Sequence, residues 1–164
     1  MMIASPAGLL ALSLLQHGAV RDLNHDGGGE YIYESASDAS AQVSVITLNM
    51  RDRELVYPGT VTGIEACPDE RSNCFKTSRM SFCAPTEAEA RRGSWSCGSD
   101  QLGFRAKGNV TLRILGKSVE AAVIEGRGVE YFYSRREGVV MFRFVGEQVA
   151  EVYWLASPKG FASE

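Results

Sequence analysis

The chain has 164 residues, 45% of them hydrophobic, with a formal net charge of −3. That length suits one globular domain with a real core and leaves no room for a second sizeable one. Acids and bases are interleaved rather than grouped in blocks, which excludes the electrostatic footprint of a nucleic-acid binder.

Residues 1–19 come first. The opening twenty residues carry no Lys, Arg, Asp or Glu, and Gly8 to Leu15 form a compact apolar run ahead of Gly18 and Ala19. This resembles a secretory signal peptide, too short to anchor in a bilayer. It departs from that pattern in lacking a basic n-region and in placing His17 where a small residue belongs; a buried N-terminal helix is the alternative. The expected organisation is a leader at 1–19 and a single β-rich domain at 20–164. No later segment approaches the ~18 uninterrupted apolar residues of a membrane helix.

The polar stretch DLNHDGGGE follows. Asp22, Asn24 and Asp26 with Gly27 match the first half of a D-x-[DN]-x-[DN]-G calcium loop, whose alternate oxygens converge on the ion while the glycine makes the turn. The twelfth position, where a bidentate Glu belongs, is Tyr33, and a strand pattern follows in place of a helix. Calcium at Asp22, Asn24 and Asp26 is a weak expectation, and no other cofactor is expected.

EYIYES reads as a strand with Tyr31 and Tyr33 on one face. In AQVSVITLNM the apolar set moves from Val43 and Val45 to Ile46, Leu48 and Met50, which predicts a β-bulge or burial on both sides. Pro58-Gly59 then interrupts LVYPGTVTG, predicting an edge strand or a bent one.

The middle third is expected to be irregular and stapled. Cys67, Cys74, Cys83 and Cys97 are separated by six, eight and thirteen residues, unlike the close pairs of zinc sites. Two disulfides are expected, with Cys67–Cys74 and Cys83–Cys97 preferred among three connectivities because each closes a self-contained excursion. No C-x-x-C is present for thiol exchange. The one helical signal is PTEAEARRG, with Thr86 as cap, Glu89 completing a capping box and Gly93 ending the turn.

From Asn109 onward NVTLRIL, SVEAAVIEG, VEYFYS, VVMFRFVG and VAEVYWLAS alternate with short turns. Such connections permit only antiparallel neighbours, so a five-stranded meander is predicted. With the earlier strands the fold class is mainly β: an antiparallel meander, a barrel or strongly curved sheet, with one short helix and a disulfide-rich middle.

Chemistry is thinly represented. The two histidines, His17 and His25, both lie near the N-terminus, and no G-x-S-x-G, Walker loop, Rossmann fingerprint or H-E-x-x-H occurs. Glu120, Glu125, Glu130, Glu137, Glu147 and Glu151 are the acid/base groups in quantity, and a facing pair would suit glycoside hydrolysis. Aromatics concentrate on adjacent strands, and consecutive ones must lie on opposite faces. Tyr131, Tyr133, Tyr153 and Trp154 are therefore the predicted ligand-binding residues. The expectation is an exported, disulfide-stabilised β domain, periplasmic or extracellular, that binds a protein, a glycan or a small apolar ligand and no nucleic acid. A carboxylate hydrolase and a calcium-stabilised structural domain are the alternatives.

Overall fold

A computed structural model describes residues 29–36, 43–65, 73–146 and 151–162. In chain order these form β1 (Glu30–Ala36), β2 (Val43–Asn49), β3 (Glu54–Tyr57), β4 (Thr60–Gly63), β5 (Cys74–Lys76), β6 (Ser81–Cys83), α1 (Glu87–Arg92), β7 (Ser94–Cys97), β8 (Leu102–Ile114), β9 (Lys117–Gly126), β10 (Val129–Ser134), β11 (Gly138–Phe144) and β12 (Val152–Leu155). Ten strands make one sheet in the order β4-β3-β2-β1-β12-β11-β10-β9-β8-β7, and β5-β6 stand apart as a hairpin. Every pairing is antiparallel, and all but β1 with β12 join sequence neighbours.

The predicted meander is β8 to β12. Its tight turns are two-residue loops with both φ values positive, Leu115-Gly116 at 49° and 77° and Arg127-Gly128 at 47° and 78°. These match the right-handed strand twist. Pro58-Gly59 likewise forms a two-residue loop, with Tyr57 paired to Thr60 on its two sides. The interrupted strand expected there is thus a hairpin, and its second arm, β4, is the sheet edge. β2 carries no bulge: its register with β1 is unbroken from Asn49 to Val43. Ile46 and Leu48 point to the core, and the exposed Val43 and Val45 sit on the other face. Register shifts occur instead at Ala106/Gly108 in β8 and at Phe132/Tyr133 in β10, where bulges sharpen strand curvature.

The core packs against one face of this sheet. Tyr153, Phe142, Tyr131 and Ile124 pair in register across β12, β11, β10 and β9, and the β5-β6 hairpin lays Phe82 against Tyr131 at 5.0 Å between ring centroids. Phe161 closes the cluster edge-on to Phe75 at 5.0 Å. The Tyr33 hydroxyl donates to the Val139 carbonyl at 2.9 Å and accepts from the Phe161 amide at 3.2 Å. The C-terminal segment is tied down by the Gly160 amide donating to Glu137 (2.7 Å) and the Val139 amide donating to Phe161 (2.7 Å).

Among the described residues no hydrogen-bonded ladder joins edge strands β4 and β7, so no closed barrel is formed there. The β5-β6 hairpin straps this seam. Lys76 bridges to Glu65 just beyond β4, Cys83 is disulfide-bonded to Cys97 on β7, and the Trp95 indole donates to the Cys83 carbonyl at 3.1 Å. The middle third therefore contains three short strands besides its helix. That helix has the predicted capping box, Thr86 with Glu89, and ends at Gly93 with φ 77°.

Candidate functional site

The predicted ligand-binding aromatics divide between the two faces. Tyr131, Tyr133 and Tyr153 are buried in the core. Their hydroxyls donate to the Ser81 carbonyl (2.7 Å), the Ala162 carbonyl (3.4 Å) and the Glu151 carboxylate (3.0 Å). Burial raises the Tyr131 and Tyr153 phenols above their ordinary range. Trp154 alone of the four is exposed, at 36%. Phe132 and Tyr133 are both buried although they are consecutive. Phe132 lies on the outer face, in register between Val123 and Met141, which shelter it.

Cross-strand register places two rows on that outer face. One runs Val45, Glu34, Trp154, Met141, Phe132, Val123. The other, two residues along each strand, runs Val152, Arg143, Glu130, Glu125, Arg105. Period two puts both rows on the same side of the sheet. A mainly apolar row, interrupted by Glu34 next to the exposed indole, thus lies beside a charged one.

The charged row contains the facing carboxylates, Glu125 and Glu130. Arg143 Nη2 lies 2.5 Å from Glu130 Oε2, and Lys107 Nζ lies between the acids at 3.1 Å from Glu125 and 3.7 Å from Glu130. Arg105 Nη2 is 3.1 Å from Glu125. Hydrogen bonds from Lys107 and then Arg105 hold the Glu125 carboxyl below its ordinary range. A general acid in glycoside hydrolysis needs the opposite shift. What this array does chemically is present fixed, paired charges. Glu120 and Glu151 are exposed, Glu137 sits in the β10-β11 turn, and Glu147 lies outside the described residues.

The void among Tyr33, Ile46, Leu55, Tyr131 and Phe142 is about 10 Å³, room for one water at most. A cleft of about 260 Å³ opens instead at the seam, lined by Lys76, Glu65, Asp100, Ser99, Cys83 and Cys97 among others. Lys76 Nζ lies 2.5 Å from Asp100 and 3.0 Å from Glu65. These hydrogen bonds raise the Lys76 ammonium and lower the Asp100 carboxyl.

Behind the cleft three buried cysteines converge. The Sγ atoms of Cys74, Cys83 and Cys97 all lie within 4.8 Å of one another. Cys83–Cys97 is the expected pair, Cys74 is also disulfide-bonded, and Cys67 lies outside the described residues. No spacing rule announces this cluster; the one local signal is that CFK and SFC flank a turn and so place Cys74 opposite Cys83. The calcium candidates Asp22, Asn24 and Asp26, and residues 1–19, also lie outside the described residues. No helix among the described residues is long and apolar enough to cross a membrane.

No protein-family model, curated protein or solved structure matches the chain.

Proposed function

We propose that the chain is an exported, disulfide-stabilised β domain that acts by binding a protein partner on the outer face around Trp154. The observation that carries this reading is the pairing of a filled interior with an exposed indole on the other face. Trp154 at 36% and Val45 at 39% are on opposite sides of Glu34 in one cross-strand row. The Arg143–Glu130 ion pair runs beside them. Exposed apolar side chains interspersed with charged ones make up the mixed surface of a non-obligate protein interface, and Trp and Arg are the residues that most often dominate its energetics. A small apolar ligand would need a chamber, and the void among Tyr33, Ile46, Leu55, Tyr131 and Phe142 is only about 10 Å³. Support for export comes from the Cys83–Cys97 disulfide, which persists in oxidising compartments.

Capture of the partner from the host's envelope fraction by the immobilised chain tests the reading. Trp154→Ala is expected to weaken capture at least about tenfold, ~1.4 kcal/mol, with an unchanged melting temperature. Unchanged capture removes the proposal. Export is tested by the intact mass of the chain recovered from its host, which should lack residues 1–19.

A further inference from the structure

The β5-β6 hairpin sets Cys74 directly opposite Cys83. Flanking bonds from the Thr77 amide to Met80 (2.9 Å) and from the Ala84 amide to Asn73 (3.0 Å) make 73/84 and 77/80 hydrogen-bonded positions. By the alternation of antiparallel ladders, 74/83 is then a non-hydrogen-bonded pair, where Cα atoms approach to about 4.5 Å. A disulfide spans about 4.4 to 6.8 Å between Cα atoms, so Cys74 and Cys83 can be bridged without moving the backbone. Yet Cys83 is bonded to Cys97, and Cys74 is in a disulfide of its own. Three sulfurs within 4.8 Å of one another thus have two pairings within reach, and the cleft wall includes Cys83 and Cys97.

We propose that the seam is a thiol-exchange site that takes a dithiol. One thiolate of the dithiol enters the cleft and attacks Cys97 Sγ, and Cys83 leaves as a thiolate. The second sulfur of the dithiol resolves the mixed disulfide, departs as the oxidised cyclic disulfide and leaves Cys97 as a thiol. The Cys83 thiolate attacks Cys74 Sγ across the hairpin, forms the Cys74–Cys83 bond and expels the former partner of Cys74 as a thiolate. In total two electrons and two protons pass from the dithiol to the chain, and two disulfides become one disulfide and two thiols. Exchange of this kind needs a thiolate within reach of a disulfide sulfur, and Cys83 Sγ lies within 4.8 Å of Cys74 Sγ. The structural result is a strap stapled to itself and released from β7, with Cys97 as a free thiol in the cleft beside Lys76.

The test treats the folded full chain with one equivalent of dithiothreitol, alkylates with a maleimide and maps the peptides. The expected product carries maleimide on Cys97 and yields a peptide bridged through Cys74 and Cys83. Maleimide on Cys83 and Cys97 with the Cys74 bond unchanged overturns the proposal, as does no labelling or labelling of all four cysteines in one step. Cys97→Ser isolates the second half without a reductant, because Cys83 then starts with no partner. Its Cys83 is expected to be bridged to Cys74 and unlabelled; labelling at Cys83 defeats the exchange step.

Discussion

The two faces of the same strands are built on different rules. On the inner face, Tyr33, Tyr131 and Phe142 sit in one ring cluster, with centroids 5.0 Å apart for Tyr33–Phe142 and 6.4 Å for Tyr131–Phe142. Both tyrosine hydroxyls there find a carbonyl. On the outer face, two residues along from the Trp154 row, Arg105, Glu125, Glu130 and Arg143 form a chain of ion pairs joined through Lys107. The difference teaches that aromatic density on adjacent strands marks the core here, whereas the partly exposed indole of Trp154 lies on the opposite face. Burial of an aromatic ring with its hydroxyl satisfied stabilises the fold; a ring that is 36% exposed contributes only through its covered part.

The sharpest way to break this comparison is to truncate one ring on each face. Tyr131→Ala removes a fully buried ring and its bond to Ser81, and should cost about 3–5 kcal/mol, the range for large aromatic truncations. Trp154→Ala should cost less than about 1 kcal/mol, as surface changes do. Urea titration of both variants measures the contrast, and equal losses would mean that Trp154 is a core residue.

Next in size is the seam, which belongs to neither face. Replacing Cys83 and Cys97 together by alanine opens a loop of sequence separation 14 and should lower stability by about 3 kcal/mol through the unfolded chain. Gly160→Ala probes how tightly the C-terminal segment closes the inner face, since a Cβ there would lie 2.1 Å from the Val139 carbonyl oxygen. A loss of about 1–3 kcal/mol is expected, read as a lower melting temperature.

The two faces should also differ in pH response. Burial pushes the Tyr57 phenol up to about 12, with Arg79 opposing the shift, and it raises Tyr31, Tyr131 and Tyr153 as well. A raised folded value means the fold keeps the proton that the unfolded chain gives up. Stability is therefore full below about pH 10, the ordinary tyrosine value, and falls as pH rises through the folded values. Glu125 has the opposite sign: its lowered value supports the fold at neutral pH and loses that support as pH falls. Its exposure makes the acid effect the smaller of the two. Melting temperature against pH should drop steeply on the alkaline side and weakly on the acid side. The smallest effect is Tyr57→Phe, which deletes a buried hydroxyl without a hydrogen-bond partner among the described residues and should leave stability equal or slightly higher.

Local patterns were readable in proportion to how short-ranged their physics is. Thr86 and Glu89 announce the helix start because a capping box is closed within four residues. Val110, Leu112 and Ile114 announce a strand, and the glycines at Gly116 and Gly128 announce its turns, because steric limits on φ act on single residues. The β5-β6 hairpin was not readable. CFK and SFC are three residues each, too short for an alternating pattern, and they become strands only when Phe75 and Phe82 are pressed onto the sheet. Nor could Val43 and Val45 be separated from Ile46 by pattern, since an apolar residue on an open outer face looks in sequence like one in the core.

The sequence by itself determined the strands of the meander, the helix cap, and the Cys83–Cys97 staple preferred for its self-contained loop. All of these rest on neighbours along the chain. Only the tertiary structure decided which aromatics are core, that Glu125 faces Glu130 with Lys107 between them, and that three sulfurs meet at the seam. Those facts depend on register between strands and on β1 pairing with β12 across more than a hundred residues. A shift of one residue in such a pairing turns every side chain to the other face.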